Sequence, residues 1–204
     1  MGSEMCIRDS CTAEDLEAVR KVQEENKIRT GYHGEYAKHR DITYEEAKVF
    51  IDEGKPFVVR LRSPGSEENR ITFEDTIKGK IEMPENDEDF VLLKSDGIPT
   101  YHFAHAIDDH LMHTTHVLRG DEWISSVPKH IQLFKLLGFK VPKFGHVSPI
   151  MKLDNGAKRK ISKRKDPEAA VHFFAEQGYE SICVIEYLMT IAASDFEDWR
   201  RANP

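Results

Sequence analysis

Apolar positions recur at helical spacing in some stretches of the chain and in short β-branched runs in others. Leu16, Val19 and Val22 share one helical face behind Thr12, whose hydroxyl is placed to cap a first turn that carries acids. Thr43, Tyr44, Glu45 and Glu46 repeat that start signal ahead of Ala47, Val49, Phe50 and Ile51, and Gly54 supplies the stop. Pro56 opens a strand over 57–61, residues 63–66 turn the chain, and 71–73 and 76–77 read as short strands separated by Glu74 and Asp75. Residues 90–93 predict a strand, 97–99 a turn, and 104–112 a helix with Ile107, Leu111 and Met112 on its stripe. A strand follows at 115–118, with a tight exit at 119–121. The spacing then predicts a helix over 122–137, with Ile124, Val127, Ile131, Phe134 and Leu137 inward and Gly138 as its end. A buried strand is expected at 146–151. Pro167 starts a further helix carrying Ala170, Val171, Phe174 and Ala175, which stops at Gly178 before an apolar helix over 182–191.

Strands alternating with helices after residue 89 imply an α/β fold with a parallel sheet, whose ligand site lies beyond the carboxyl ends of its strands. Arg119 and the segment around Lys160 both leave such ends, so topology predicts them in one crevice. Residues 11–83 form a smaller α+β unit, and 84–89 read as an acidic, solvated linker.

Composition narrows the class. The chain has 204 residues, 39% apolar and 32% charged, which suits a globular protein of one or two domains. No apolar run approaches the roughly 18 to 20 residues needed to span a bilayer, so no membrane role is expected. Cys6, Cys11 and Cys183 are too few and scattered for a disulfide framework, which favours a reducing cytoplasm. Residues 1–10 read as neither a targeting segment nor the start of an element, and are expected to be a foreign leader with the natural chain continuing upstream of Cys11.

Net charge is −7, yet from Lys152 to Lys165 seven Lys or Arg stand against one Asp. Ammonium groups at fixed spacing, entered from a turn at Asp154, Asn155 and Gly156, suit a ligand whose negative charge grows during reaction, such as a leaving pyrophosphate. Taken alone, the stretch reads more readily as a solvated basic loop or a generic nucleic-acid patch.

It does not stand alone. The tracts 96–104 (DGIPTYHFA), 108–110 (DDH), 115–123 (THVLRGDEW) and 160–164 (KISKR) resemble, in order and spacing, the bacterial glutamyl-tRNA synthetase family of class I aminoacyl-tRNA synthetases. The resemblance implies part of a Rossmann-type parallel sheet over 86–165, an α+β connective insertion over 11–85 that approaches the tRNA acceptor end, and the start of a helical stem-contact tail over 166–204. It implies activation of L-glutamate by ATP to glutamyl-adenylate, with magnesium bridging phosphates, and transfer to tRNA(Glu) by an enzyme that is monomeric when whole. On the ATP side it points to Glu122, Ile150, Lys160, Ile161, Ser162, Lys163 and Arg164, with Lys160 and Lys163 catalytic. On the glutamate side it points to Tyr101, His105 and Arg119. Ile161 stands where Met is usual, and His105 where some relatives carry Asn or Cys. No His-x-Gly-His-type sequence occurs in the chain, so this segment alone is expected not to activate glutamate.

Other readings compete. Glutaminyl and glutamyl-queuosine enzymes are near relatives. A non-catalytic RNA-binding module explains the basic loop but leaves Tyr101 and Arg119 without a role. His102, His105, His110, His113 and His116, with Asp108 and Asp109, could ligate the metal of a hydrolase, but helical phase separates them. Cys11 and His39, with Tyr32 and Tyr36 nearby, are the candidate donors for a zinc ion such as some relatives hold in this insertion, and two donors fall short of a structural site, so no zinc is expected.

Overall fold

Helix boundaries in the computed structural model, which describes residues 5–193 and 195–204, follow the cap chemistry of the sequence. Helix α1 (Ala13–Glu25) starts with a capping box: Asp15 N donates to Thr12 Oγ1 at 3.2 Å while Thr12 N donates to the Asp15 carboxylate at 3.0 Å. Helix α2 (Tyr44–Asp52) repeats the device with Thr43 and Glu46. α2 and α4 (Val127–Leu136) stop at Gly54 and Gly138, both in the left-handed region, where the following amide reaches back to the last turn: Lys55 to Phe50 and Phe139 to Phe134. α1 and α3 (Tyr101–Leu111) end in the same motif without glycine, at Lys27 and His113, both with φ 56°, a conformation that costs a residue with a Cβ about 1 kcal/mol.

The chain divides into two units. The first comprises Met1–Val117 and Ser125–Phe144. In it β1 (Cys6–Asp9) and β5 (Val91–Leu93) flank β2 (Val58–Leu61), antiparallel on both sides. Leu61, Phe90 and Leu92 from this sheet region meet Ala106 of α3 and Leu133 and Phe134 of α4 in the core. β3 (Arg70–Asp75) and β4 (Gly79–Pro84) make an antiparallel hairpin, and β3 runs parallel to β7 (Lys143–Val147) with Asp75 opposite Phe144. The sheet order is β4-β3-β7-β6, with β6 at His116–Gly120. The architecture is mixed α/β with parallel pairing, as the alternation implied.

Several expectations are corrected. Residues 1–4 of the expected leader lie outside the described residues, but Cys6–Asp9 is a strand of the sheet, so this segment does start an element. Thr76 and Ile77 form a turn, closed by Asp75 Oδ1 accepting from Ile77 N and Lys78 N at 3.0 and 2.9 Å, and the strand instead begins at Gly79. The acidic linker is not simply solvated: Asp89 is fully buried. Leu16 and Val22 are exposed, whereas Gln23 is buried by hydrogen bonds to both backbone groups of Gly31. The helix expected over 122–137 is a 3-10 turn, Asp121–Ser126, followed by α4, because Pro128 has no N–H to continue an α-helical ladder through that point. β7 ends at Val147, before Pro149, which likewise cannot donate.

The second unit comprises Leu118–Ile124 and Gly145–Pro204. It holds the hairpin β8 (Met151–Asp154) and β9 (Ala157–Lys160), a 3-10 turn at Pro167–Ala169, and helices α5 (Val171–Glu176), α6 (Ser181–Ala192) and α7 (Phe196–Ala202). Cys183 is exposed, and no residue of α6 is buried, since within this unit the helix touches mainly α5 and α7. No helix among the described residues is long and apolar enough to cross a membrane.

In the first unit Asp9 is 2% exposed and both its oxygens are engaged, by Arg60 Nε at 2.7 Å and by His39 Nδ1 and Cys11 N at 2.8 and 2.9 Å. Burial pushes its carboxyl up, but the hydrogen bonds from Cys11, Arg60 and His39 outweigh burial and bring it down to about 2. A carboxyl lowered in the folded state stabilises fully above its unfolded pKa and loses that contribution as pH falls through the folded value. Asp9→Asn should therefore lower unfolding free energy by about 3 kcal/mol at neutral pH, as expected when one partner of a buried pair is removed. In urea denaturation at a series of pH values, the gap between the two proteins should persist down to about pH 4 and close toward pH 2. A gap that stays constant or widens on acidification would contradict the pairing.

Candidate functional site

The basic segment is a hairpin rather than a loop. Asn155 and Gly156, with φ of 50° and 82°, form the two-residue turn that β8 and β9 need, and Met151 pairs with Lys160 at the open end. It therefore leaves an antiparallel strand, not the end of a parallel one as expected. Alternation along β9 sends Arg159 to the face opposite Lys158 and Lys160. That face meets Asp166, which is 1% exposed. Arg159 Nη1 and Nη2 close on its two oxygens at 2.7 Å each, and Ser162 N donates to Oδ2 at 2.9 Å. Lys152 Nζ adds a contact at 3.3 Å, and Arg159 Nε also reaches Asp154 at 2.6 Å. The Arg159 fork, then the Ser162 amide, hold the Asp166 carboxyl far below the usual carboxylate range.

The segment from Ile161 is thus tied at both ends. Ile161 N donates to Ile150 O at 3.1 Å, and Lys165 N and Asp166 N both donate to Ser162 O, at 2.9 and 2.8 Å. Lys163, Arg164 and Lys165 lie between these ties, exposed. Lys160 Nζ donates to Glu122 Oε1 at 2.5 Å, which lowers the Glu122 carboxyl. The Glu122 carboxylate also folds against Gly120 so closely that a Cβ there would lie 2.1 Å from Oε2. Arg119, in β6 of the same unit, donates from Nε to His146 Nε2 at 3.1 Å and lies 5.7 Å from the Trp123 ring centroid. His146, fully buried, accepts this bond and so carries its proton on Nδ1. Sequence reasoning placed Glu122, Ile150 and residues 160–164 together, and the structure brings them into one unit. It missed Asp166 and Arg159. The available signal was an acid standing just past a run of bases.

In the first unit, Tyr101 opens α3 and is half exposed, its ring parallel to His105 at 5.7 Å between centroids. Thr100 is spared from capping, donating instead to Val91 O at 2.7 Å. His105 Nδ1 lies 2.6 Å from Asp109, one turn on, and its ring packs 4.7 Å from that of His130. His130, fully buried, shares a 2.8 Å hydrogen bond with His102. Tyr101 thus stands on a wall of three imidazoles, of which His105 is the one directly behind it.

Three possible metal donors converge elsewhere in this unit. Ligand atoms of Asp9, Cys11 and His39 lie within 4.8 Å of one another, with Cys11 Sγ 3.5 Å from His39 Nδ1. Sequence alone offered Cys11 and His39, and the third donor comes from the segment read as foreign. Burial and the Asp9 carboxylate push the Cys11 thiol up to about 12. Among the described residues this is the sole such cluster, and the His and Asp series between 102 and 116 does not bring three donor atoms together in the same way.

Comparison with known proteins agrees with the tracts quoted above. The family described as tRNA synthetases class I (E and Q), catalytic domain, matches residues 4–198. A glutamate--tRNA ligase of Clostridium beijerinckii is 56% identical over 96% of this chain and 35% of its own length. One from Sorangium cellulosum is 52% identical over 95% of this chain and 36% of its own. A crystal structure of a glutamate tRNA ligase from Elizabethkingia meningosepticum, in complex with its amino acid, superposes with a TM-score of 0.69 at 35% identity, over 81% of this chain and 33% of that one. The chain spans about a third of the length of the relatives it matches.

The tie through Asp166 has a direct local readout. Asp166→Ala should raise the hydrogen-exchange rate of the Ser162 amide ~10-fold or more, as expected for losing a charge-assisted hydrogen bond. Unchanged protection at Ser162 would show that the hairpin does not depend on this carboxylate.

Proposed function

The chain belongs to the catalytic-domain family of class I tRNA synthetases of the E and Q type, and on that premise we propose that it is part of a glutamate--tRNA ligase whose basic hairpin grips the phosphates of ATP. The observation that carries this reading is the Asp166 anchor, which ties down a three-cation segment and leaves it open to solvent. Preorganised donors stabilise charge that develops in a transition state without reorganising as it forms. As the glutamate carboxylate attacks the α-phosphorus and pyrophosphate leaves, Lys163 and Arg164 neutralise the departing oxygens, and Ser162 keeps the backbone between them compact. Lys160 exchanges its Glu122 partner for phosphate, which leaves Glu122 to accept from the nucleotide. Ile150 and Ile161 supply the apolar side.

For the amino acid, Arg119 presents a planar fork held by His146, and Tyr101 offers a hydroxyl over its histidine wall, with His105 positioning the ring. A magnesium ion carried by the nucleotide would offset charge on the phosphates, and the glutamyl group is then transferred from the adenylate to the terminal ribose hydroxyl of tRNA(Glu), with AMP as the leaving group. The whole enzyme acts as a monomer in the cytoplasm on this reading.

In an enzyme carrying this segment within a whole catalytic domain, Lys163→Ala should lower glutamate-dependent ATP–pyrophosphate exchange at least ~100-fold, the size of effect seen on removing one preorganised electrostatic donor. Exchange at the parental rate would refute the assignment of the hairpin to ATP.

A further inference from the structure

Independently of that reading, three histidines that the synthetase chemistry does not use converge on a groove of about 530 Å³ in the first unit. Its charged and titratable lining is Asp109 and His110 from α3, His113 from the stop of that helix, His116 from the start of β6, Lys140 from the loop after α4, and Lys143 from the start of β7. The walls are tied together. Lys143 N donates to Thr115 O at 2.9 Å, and the His110 ring lies flat on Phe139, 3.7 Å between centroids at 2°. The left-handed stop at His113 turns the chain back so that His110, His113 and His116 reach the same groove although the helix ends between them.

We infer that this groove binds a phosphate group, either a small free phosphate or the monoanionic diester of an RNA backbone, and that histidine protonation strengthens the binding. The two lysines disfavour a metal cation, and the imidazoles do not bring three ligand atoms together as a metal needs. The single lining acid, Asp109, already faces His105 at 2.6 Å. Above neutral pH two ammonium groups define the site. The three imidazoles join them, and each one that is protonated adds a positive charge to the groove. The volume suits a di- or triphosphate.

The test follows the imidazole C2–H signals of His110, His113 and His116 in the intact chain, assigned by single His→Gln substitutions. Sulfate is the first probe, because it keeps its charge across the range. All three signals should shift saturably at about pH 6, with affinity at least ~10-fold weaker at about pH 8. Lys140→Gln with Lys143→Gln, both exposed positions, should abolish the shifts. Pyrophosphate and a tRNA transcript are then added separately: response to pyrophosphate assigns the groove to small phosphates, and response to RNA alone assigns it to backbone phosphate. No saturable shift with any of the three anions, or equal affinity at the two pH values, overturns the proposal. So does tight one-to-one binding of zinc by the three imidazoles.

Discussion

A carboxylate withdrawn from water must be met by hydrogen bonds, and much of this chain's irregular backbone is organised around that requirement. Asp9, Asp89 and Asp166 are each almost wholly buried, and each is met by an arginine: Arg60, Arg40 and Arg159. The three differ in how completely they are satisfied. Asp9 and Asp166 use both oxygens and are driven down, whereas Asp89 Oδ2 has no partner among the described residues, and burial there outweighs Arg40 and Ser63 and pushes the carboxyl up. Around Asp9 the pairing ties the first strand, the helix start and the sheet. Around Asp89 it ties the segment between β4 and β5 to Ser63 N at 2.8 Å.

At Asp166 the same chemistry serves a different end. Seven bases between Lys152 and Lys165 repel one another, and in an unanchored loop they would spread. One buried anion absorbs Arg159 and Lys152, and its Ser162 contact sets the backbone from which Lys163 to Lys165 project. The basic segment therefore divides into cations that build the hairpin and cations left exposed to solvent, a division that counting charges does not reveal. Glu122 holds Lys160 between those two roles.

What was legible in the sequence was what local physics decides. Thr12 and Thr43 cap because their third residues are acids, Gly54 and Gly138 stop helices because they adopt positive φ freely, and Val127, Ile131 and Phe134 are buried because helical spacing aligns them. The stops at Lys27 and His113 were invisible, since tertiary context imposed a conformation those residues do not favour. The strand at Cys6–Asp9 was missed because its inward charge is satisfied by residues 30 and 51 positions away. The role of Asp166 was missed because its partners lie in a hairpin whose register only the fold reveals. For the site, the ordered tracts identified the family and its candidate residues, while the arrangement behind Tyr101 and Arg119, through His130 and His146, came from packing.

The central claim is that Asp166 serves the basic hairpin as a scaffold and not merely as one more charge. Asp166→Asn removes a negative charge beside a proposed phosphate site, so simple Coulombic reasoning expects tighter anion binding. The scaffold account expects the reverse. Triphosphate titrated into the wild-type chain, followed on the Ser162 and Lys163 amide signals, should bind measurably, and the Asp166→Asn chain should bind more weakly; equal or tighter binding by the variant would contradict the account.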